Sequence, residues 1–198
     1  MCQFVETIRI TNGQIHHLAL HQDRVGRTLR HFAPQLSEFN LEPLLVDCPQ
    51  VGVWKTRVLY DTLGNVAVAY HPYVLRTLHS LRLVVNDDLD YSFKYADRTP
   101  LTALQAQRGA CDEVLIVRQG LITDTSYTNV AFTDGRSWYT PRQPLLAGTM
   151  RRALLEKGVL QERDIRPEDL SCYKEVALFN AMIDFGQVVL CCRQIQET

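Results

Sequence analysis

No stretch of this 198-residue chain reaches the ~18 successive apolar residues of a membrane-spanning helix. The first ten residues, MCQFVETIRI, lack the basic segment and apolar run of a secretory leader, so a cytoplasmic location is expected. An excess of one charge is missing too. The formal net charge is −1, which removes the electrostatic reason to expect nucleic acid or an anionic membrane as partner. Cysteine occurs six times, but no pair has CxxC spacing and no Cys/His set has zinc spacing. Cys191 and Cys192 alternate faces if they lie in a strand, so they are not expected to share a metal. Reduced, mostly buried thiols are the expectation. The chain has no internal repeat and no low-complexity segment. Lysine is scarce: Lys55, Lys94, Lys157 and Lys174 are the only four among 21 basic residues.

What is present is enough for a core. Hydrophobic residues make up 46% and charged residues 22%, and the length fits one large domain or two small ones. CQFVETIRI reads as a strand, followed by a tight turn at Asn12-Gly13 and a short return strand. LALHQDRVGRTLRHF reads as a helix carrying Leu18, Val25, Leu29 and Phe32. A second hairpin, VGVWKTRVLYDTLGNVAVAYHPYV, turns at LGN. LHSLRLVVND begins another strand. TPLTALQAQRG reads as a helix with Pro100 in its first turn and Gly109 at its end. Four short strands fill DEVLIVRQGLITDTSYTNVAFTDGRSWYTP, with turns at RQG and TDG. AGTMRRALLEKG is a helix closed by Gly158, and EVALFNAMI and QVVLCC are further strands. The expectation is an α+β chain divided into residues 1–79 and 80–198.

Lys94 sits in YSFKYADRTPL, among Tyr91, Phe93 and Tyr95, where an ammonium is poorly solvated. Taken alone, such a lysine packs its stem on the rings and keeps its head in water. A chemical role needs other groups: a carbonyl for the amine, an anion site for a phosphate, and a carboxylate for a ring nitrogen. Pyridoxal phosphate (PLP) asks for that set. Desolvation of Lys94 favours the neutral, nucleophilic amine. Asp124 ends a predicted strand before a small-residue loop, where it can face a protonated pyridine or simply cap a turn. Gly148 and Thr149, in LLAGTMRR, open a helix whose free N–H groups suit a phosphate, or merely begin the helix. Arg24, in LHQDRV, is a candidate cation or a solvated helix arginine. Spacing alone does not make these residues converge.

The order of these segments resembles the fold type IV PLP enzymes, the class IV aminotransferases. That family includes branched-chain aminotransferase, D-amino-acid aminotransferase and aminodeoxychorismate lyase. The resemblance runs through VETIR, LHQDR, the Lys94 and Arg98 pair, DEVLI with ITDTSYTNV, and YTP with LLAGTMR, from about residue 4 to residue 155. It implies a small N-terminal α/β sandwich followed by a C-terminal pseudo-barrel. Carried over residue by residue, Lys94 matches the Schiff-base lysine and Arg24 the arginine on the cofactor phosphate. Asp124 stands where the family usually has glutamate against the pyridine nitrogen. Leu146 matches the leucine packed on the ring. Gly148, Thr149 and Met150 match the phosphate turn, and Asn129 matches an asparagine taken as structural.

Three departures accompany the match. Asp124 is one methylene shorter than glutamate, Met150 replaces the usual threonine, and the chain starts close to the VETIR strand. The resemblance implies a PLP-dependent lyase or aminotransferase acting on a small amine or amino acid. KYADR and AGTMR lean toward the lyase, which releases pyruvate and leaves 4-aminobenzoate, a folate precursor. A branched-chain or D-amino-acid aminotransferase is the alternative, and a catalytically degenerate PLP-binding protein a remoter one. A plain α+β ligand-binding module leaves the motif order unexplained. A homodimer is also implied, with His16, His17 and Tyr70–Tyr73 as candidates for the pocket rim.

Overall fold

A computed structural model of the chain describes residues 2–197. The chain divides into two compact units. The first runs to Leu75 and takes in Phe93–Asp97; the second comprises Arg76–Ser92 and the chain from Arg98 onward.

In the first unit, β1 (Gln3–Thr11) turns through Asn12 (φ 49°) and Gly13 (φ 80°) into β2 (Gln14–Ile15). Positive φ at both central residues is what an Asn-Gly hairpin turn requires. Helix α1 (Leu18–Phe32) follows, matching the predicted span. Next come β3 (Val53–Asp61) and β4 (Val66–Pro72). Their turn is held by Asp61, which accepts hydrogen bonds from the N–H groups of Leu63 and Asn65 and from the Asn65 amide. The sheet order is β2-β1-β3-β4, all antiparallel.

Period-two alternation along β1 puts Phe4, Ile8 and Ile10 on one face, and all three are fully buried. Phe4 and Ile8 pack with Val25 and Leu29 of α1 and with Val58 and Tyr60 of β3. Each such side chain contributes roughly 1.5–3 kcal/mol of burial. Residues 93–97 join this unit through backbone pairing with β1. The Val5 N–H donates to the Lys94 carbonyl at 3.0 Å, and the Ala96 N–H to the Gln3 carbonyl at 2.8 Å. A division at one point in the sequence does not capture this return.

In the second unit, β5 (Leu81–Val85) precedes α2 (Thr99–Gln105). Then follow β6 (Glu113–Arg118), β7 (Leu121–Thr125), β8 (Asn129–Thr133) and β9 (Trp138–Pro141). Helix α3 (Thr149–Glu156) leads to β10 (Leu160–Arg163), β11 (Glu175–Asn180), β12 (Ile183–Cys191) and β13 (Ile195–Gln196). Two mixed sheets result, ordered β13-β5-β6-β7 and β10-β9-β8-β11-β12. β6 is buried from Glu113 to Val117, as a strand covered on both faces must be. The architecture is α+β, as the motif order implied. All six cysteines are free, with Cys191 exposed and Cys192 buried. Among the described residues no helix is long and apolar enough to cross a membrane, and no His/Cys/Asp/Glu group could hold a metal.

Candidate active site

The first unit carries Arg24 and Lys94. Arg24 is buried on α1, and its guanidinium is gripped by Glu6 of β1: Nε to Oε1 at 2.8 Å and Nη2 to Oε2 at 2.6 Å. His21, one helical turn before Arg24, meets the same Oε2 through Nδ1 at 2.6 Å. Burial raises the Glu6 pKa, but the Arg24 charge and the hydrogen bonds from His21 and Arg24 outweigh it and hold the carboxyl at about 2. Glu6 is therefore an anion at all ordinary pH values, and His21 Nδ1 carries the proton between them. For His21 burial dominates and lowers its pKa; Glu6 opposes this, while the Arg24 and Lys94 cations reinforce it. The imidazole is accordingly neutral. Its buried Nε2 has no hydrogen-bond partner among the described residues. Tyr60, beside this cluster, is pushed up by burial and by the Glu6 charge.

Phe93 and Tyr95 turn into the aromatic core. Phe93 stacks on His31 at 4.8 Å and meets Phe32 edge-on at 4.8 Å, and Tyr95 lies 5.4 Å from Phe4. Lys94, between them, is half-buried on a segment fixed to β1.

The second unit carries Asp124, Leu146, Gly148, Thr149 and Met150. Asp124 is 4% exposed on β7. Its Oδ1 accepts from Asn129 Nδ2 at 2.9 Å and its Oδ2 from the Leu146 N–H at 2.9 Å. Burial outweighs these neutral donors and the charge of Arg151, and raises the Asp124 pKa to about 6. The turn before β8 is tight: Thr125 and Thr128 share a 2.7 Å hydroxyl bond, and the Thr128 N–H donates to Thr125 Oγ1 at 2.9 Å.

Gly148 caps α3 in an extended conformation, and no side chain caps that helix. The first-turn N–H groups and the helix dipole are of the kind that suits an anion. A Cβ on Gly148 would lie 2.0 Å from Asn129 Oδ1, so glycine is needed for space rather than for φ. The Met150 side chain points elsewhere: it is buried in a core cluster with Ala131, Leu160 and Phe179, leaving only its main chain at the turn. Arg151 is tied to the Pro141 carbonyl at 2.8 Å and to Glu162 at 2.7 Å, which seats the start of α3.

These groups suit pyridoxal phosphate by their chemistry. An uncapped helix start with a glycine cradle fits a phosphate, and a buried carboxyl bonded only to neutral donors fits a pyridinium nitrogen. Sequence reasoning missed Glu6 and His21. For Glu6 the available signal was a carboxylate at the second of the core-facing positions 4, 6, 8 and 10, where a charge is rarely buried unpaired.

The sequence profile of the amino-transferase class IV family matches residues 3–191. A Haemophilus influenzae protein of uncharacterized function is 39% identical over 186 residues, covering 92% of this chain and 98% of its own. A crystal structure described as a "putative 4-amino-4-deoxychorismate lyase" from Haemophilus somnus superposes with a TM-score of 0.87 at 34% identity, covering 93% of this chain and 98% of that one. A hypothetical aminotransferase from Mycobacterium tuberculosis in PLP-bound form shares the fold, with a TM-score of 0.79 at 20% identity over 100% of this chain and 84% of that one. With nearly its whole length matched, the chain belongs to the class IV aminotransferase family, the fold type IV group of PLP enzymes.

Proposed function

We propose that the chain is a PLP-dependent lyase that releases pyruvate from aminodeoxychorismate and leaves 4-aminobenzoate. The observation that carries the cofactor assignment is Asp124: a buried carboxyl whose hydrogen-bond donors are all neutral. Such a group is stabilised as an anion by a cation arriving with a ligand, and a protonated pyridine nitrogen is that cation. The lyase assignment draws support from the similar structure named for that activity.

Bound PLP supplies an electron sink for a carbanion. The chain's own residues have distinct tasks. Lys94 would hold the cofactor through its amine and would carry a proton to and from the substrate. Asp124 keeps the ring nitrogen protonated. Arg24, oriented by Glu6, would be a cation for the phosphate, and the N–H groups at Gly148 and Thr149 would be donors to it. The reaction balances without a co-substrate: the bond between the ring carbon and the enolpyruvyl oxygen breaks, the ring gives up a proton and becomes aromatic, and the enol carbon takes up a proton as pyruvate leaves. A homodimer belongs to this reading, since β4 is an edge strand and edge strands invite pairing or cover. So does a cytoplasmic location.

The assay is direct. The purified chain with PLP and aminodeoxychorismate should release pyruvate and 4-aminobenzoate in equal amounts. Keto-acid-dependent amine exchange without pyruvate release would instead make it an aminotransferase. Neither reaction, with PLP bound at Lys94, would make it a catalytically degenerate member.

A further inference from the structure

We propose that Asn129 is the positioning residue that ties the carboxylate of Asp124 to the turn at Gly148, so that one amide side chain sets both ends of the cofactor seat. The inference rests on the reading that these two residues serve the ring nitrogen and the phosphate of PLP. Asn129 opens β8 and is held there by pairing with Phe179 of β11. It is 6% exposed. Its Nδ2 donates to two acceptors, Asp124 Oδ1 at 2.9 Å and the Leu146 carbonyl at 2.9 Å. Because both partners accept only, the orientation of the amide is forced. Its Oδ1 then lies against the Cα of Gly148, where an added methyl would stand 2.0 Å away. The Leu146 N–H closes the loop by donating to Asp124 Oδ2 at 2.9 Å.

The geometry has a chemical consequence. Asp124 is short and has no cation among its hydrogen-bond partners, so its direction is fixed by this amide and the peptide N–H groups of Leu145 and Leu146. A rotation of Asn129 moves the carboxylate and the 146–148 segment together. Asn129 touches neither the proton being moved nor the substrate, and acts through its neighbours. The absence of a side chain at position 148 is part of the same device, since any larger residue displaces the amide.

A coupling experiment on the apo protein tests this by following the Asp124 carboxyl by 13C NMR with labelled aspartate. Asn129→Ala should raise the Asp124 midpoint by about one to two pH units, the loss of one hydrogen bond to a charged group. Gly148→Ala should raise it too, because the new methyl pushes the amide off Asp124. In the double variant the two shifts should not add: the midpoint should equal that of Asn129→Ala alone. Circular dichroism establishes that each variant is folded. If Asn129→Ala does not fold, the isosteric Asn129→Asp takes its place, and a second carboxylate beside Asp124 should raise the midpoint further. An unmoved midpoint in Gly148→Ala, or additive shifts in the double variant, would overturn the proposal. Since no cofactor is present, failure of PLP to bind would refute the cofactor reading while leaving this test intact.

Discussion

Glu6 in the first unit and Asp124 in the second are both buried carboxylates, and the two are driven in opposite directions. Glu6 is held at about 2 and Asp124 is raised to about 6. Both lose water almost completely. The difference lies in their partners. Glu6 faces the Arg24 guanidinium in a two-point contact and a histidine N–H, whereas Asp124 accepts from an amide and a peptide N–H. Neutral donors recover part of the lost hydration of an anion, but a desolvated guanidinium recovers more. Glu6 is thus complete without a ligand and works as a fixture for Arg24. Asp124 has only neutral donors and, on the proposed reading, is complete when a cation reaches it.

The largest effect is expected where that contrast meets the chemistry. Lys94→Ala should lower turnover by about 10²–10⁴-fold or more, the range of a lost acid–base group, with an unchanged melting temperature. Steady-state pyruvate release and thermal denaturation check this. Borohydride reduction followed by peptide mapping should find the pyridoxyl group on Lys94 in the unsubstituted chain and on no other lysine in the variant.

Glu6→Gln breaks the first half of the comparison. It removes the Glu6 charge from a buried guanidinium and should cost about 3–5 kcal/mol of stability. Urea unfolding measures it. A loss below ~1 kcal/mol would mean that Arg24 finds another partner and that Glu6 is not its fixture.

Much of this arrangement was legible in the sequence, for identifiable reasons. Hairpins announced by Asn12-Gly13 and by the LGN turn, and the helix Leu18–Phe32, rest on local rules of φ and periodicity, which need no partner. The motif order gave Lys94, Arg24 and Asp124 as candidates. Residues 93–97 joining the first unit could not be read, because one backbone pairing with β1 across some ninety positions leaves no local trace. The clamp of Asn129 on Asp124, Leu146 and Gly148 is likewise a matter of long-range placement; the motif order marked Asn129 only as an asparagine taken as structural, with no partner named. Met150 illustrates the converse, a residue matched by position whose side chain serves the core.

Stability against pH sharpens the contrast. Asp124 holds its proton more tightly folded than unfolded, so its contribution is full below about 3.8 and is lost as pH rises through about 6. Glu6 is the reverse: its contribution is present above 4.5 and is lost as pH falls toward about 2. Either shift corresponds to about 3 kcal/mol at 1.36 kcal/mol per unit. Relative to Asp124→Ala, the unsubstituted apo protein should therefore lose about that much stability between pH 4 and pH 7. Urea unfolding of both across this range would show it. A constant difference would place Asp124 in a solvated environment.

Smaller effects separate cofactor affinity from turnover. Arg24→Ala should weaken PLP binding by roughly 1.5–3 kcal/mol, read by equilibrium dialysis. Asp124→Ala should weaken binding less than it slows turnover, since the ring-nitrogen contact matters most as charge develops. Asp124→Glu should also be slower, because the extra methylene overpacks a carboxyl already seated on Asn129 and Leu146.

The most direct measurement is the carboxyl titration of Asp124 and Glu6 by 13C NMR, with and without PLP. The account predicts an Asp124 midpoint of about 6 in the apo protein that falls by two units or more when PLP binds, while Glu6 stays near about 2 in both states. An Asp124 midpoint that stays in place while PLP is bound would contradict it, because no cation would then have reached the carboxylate.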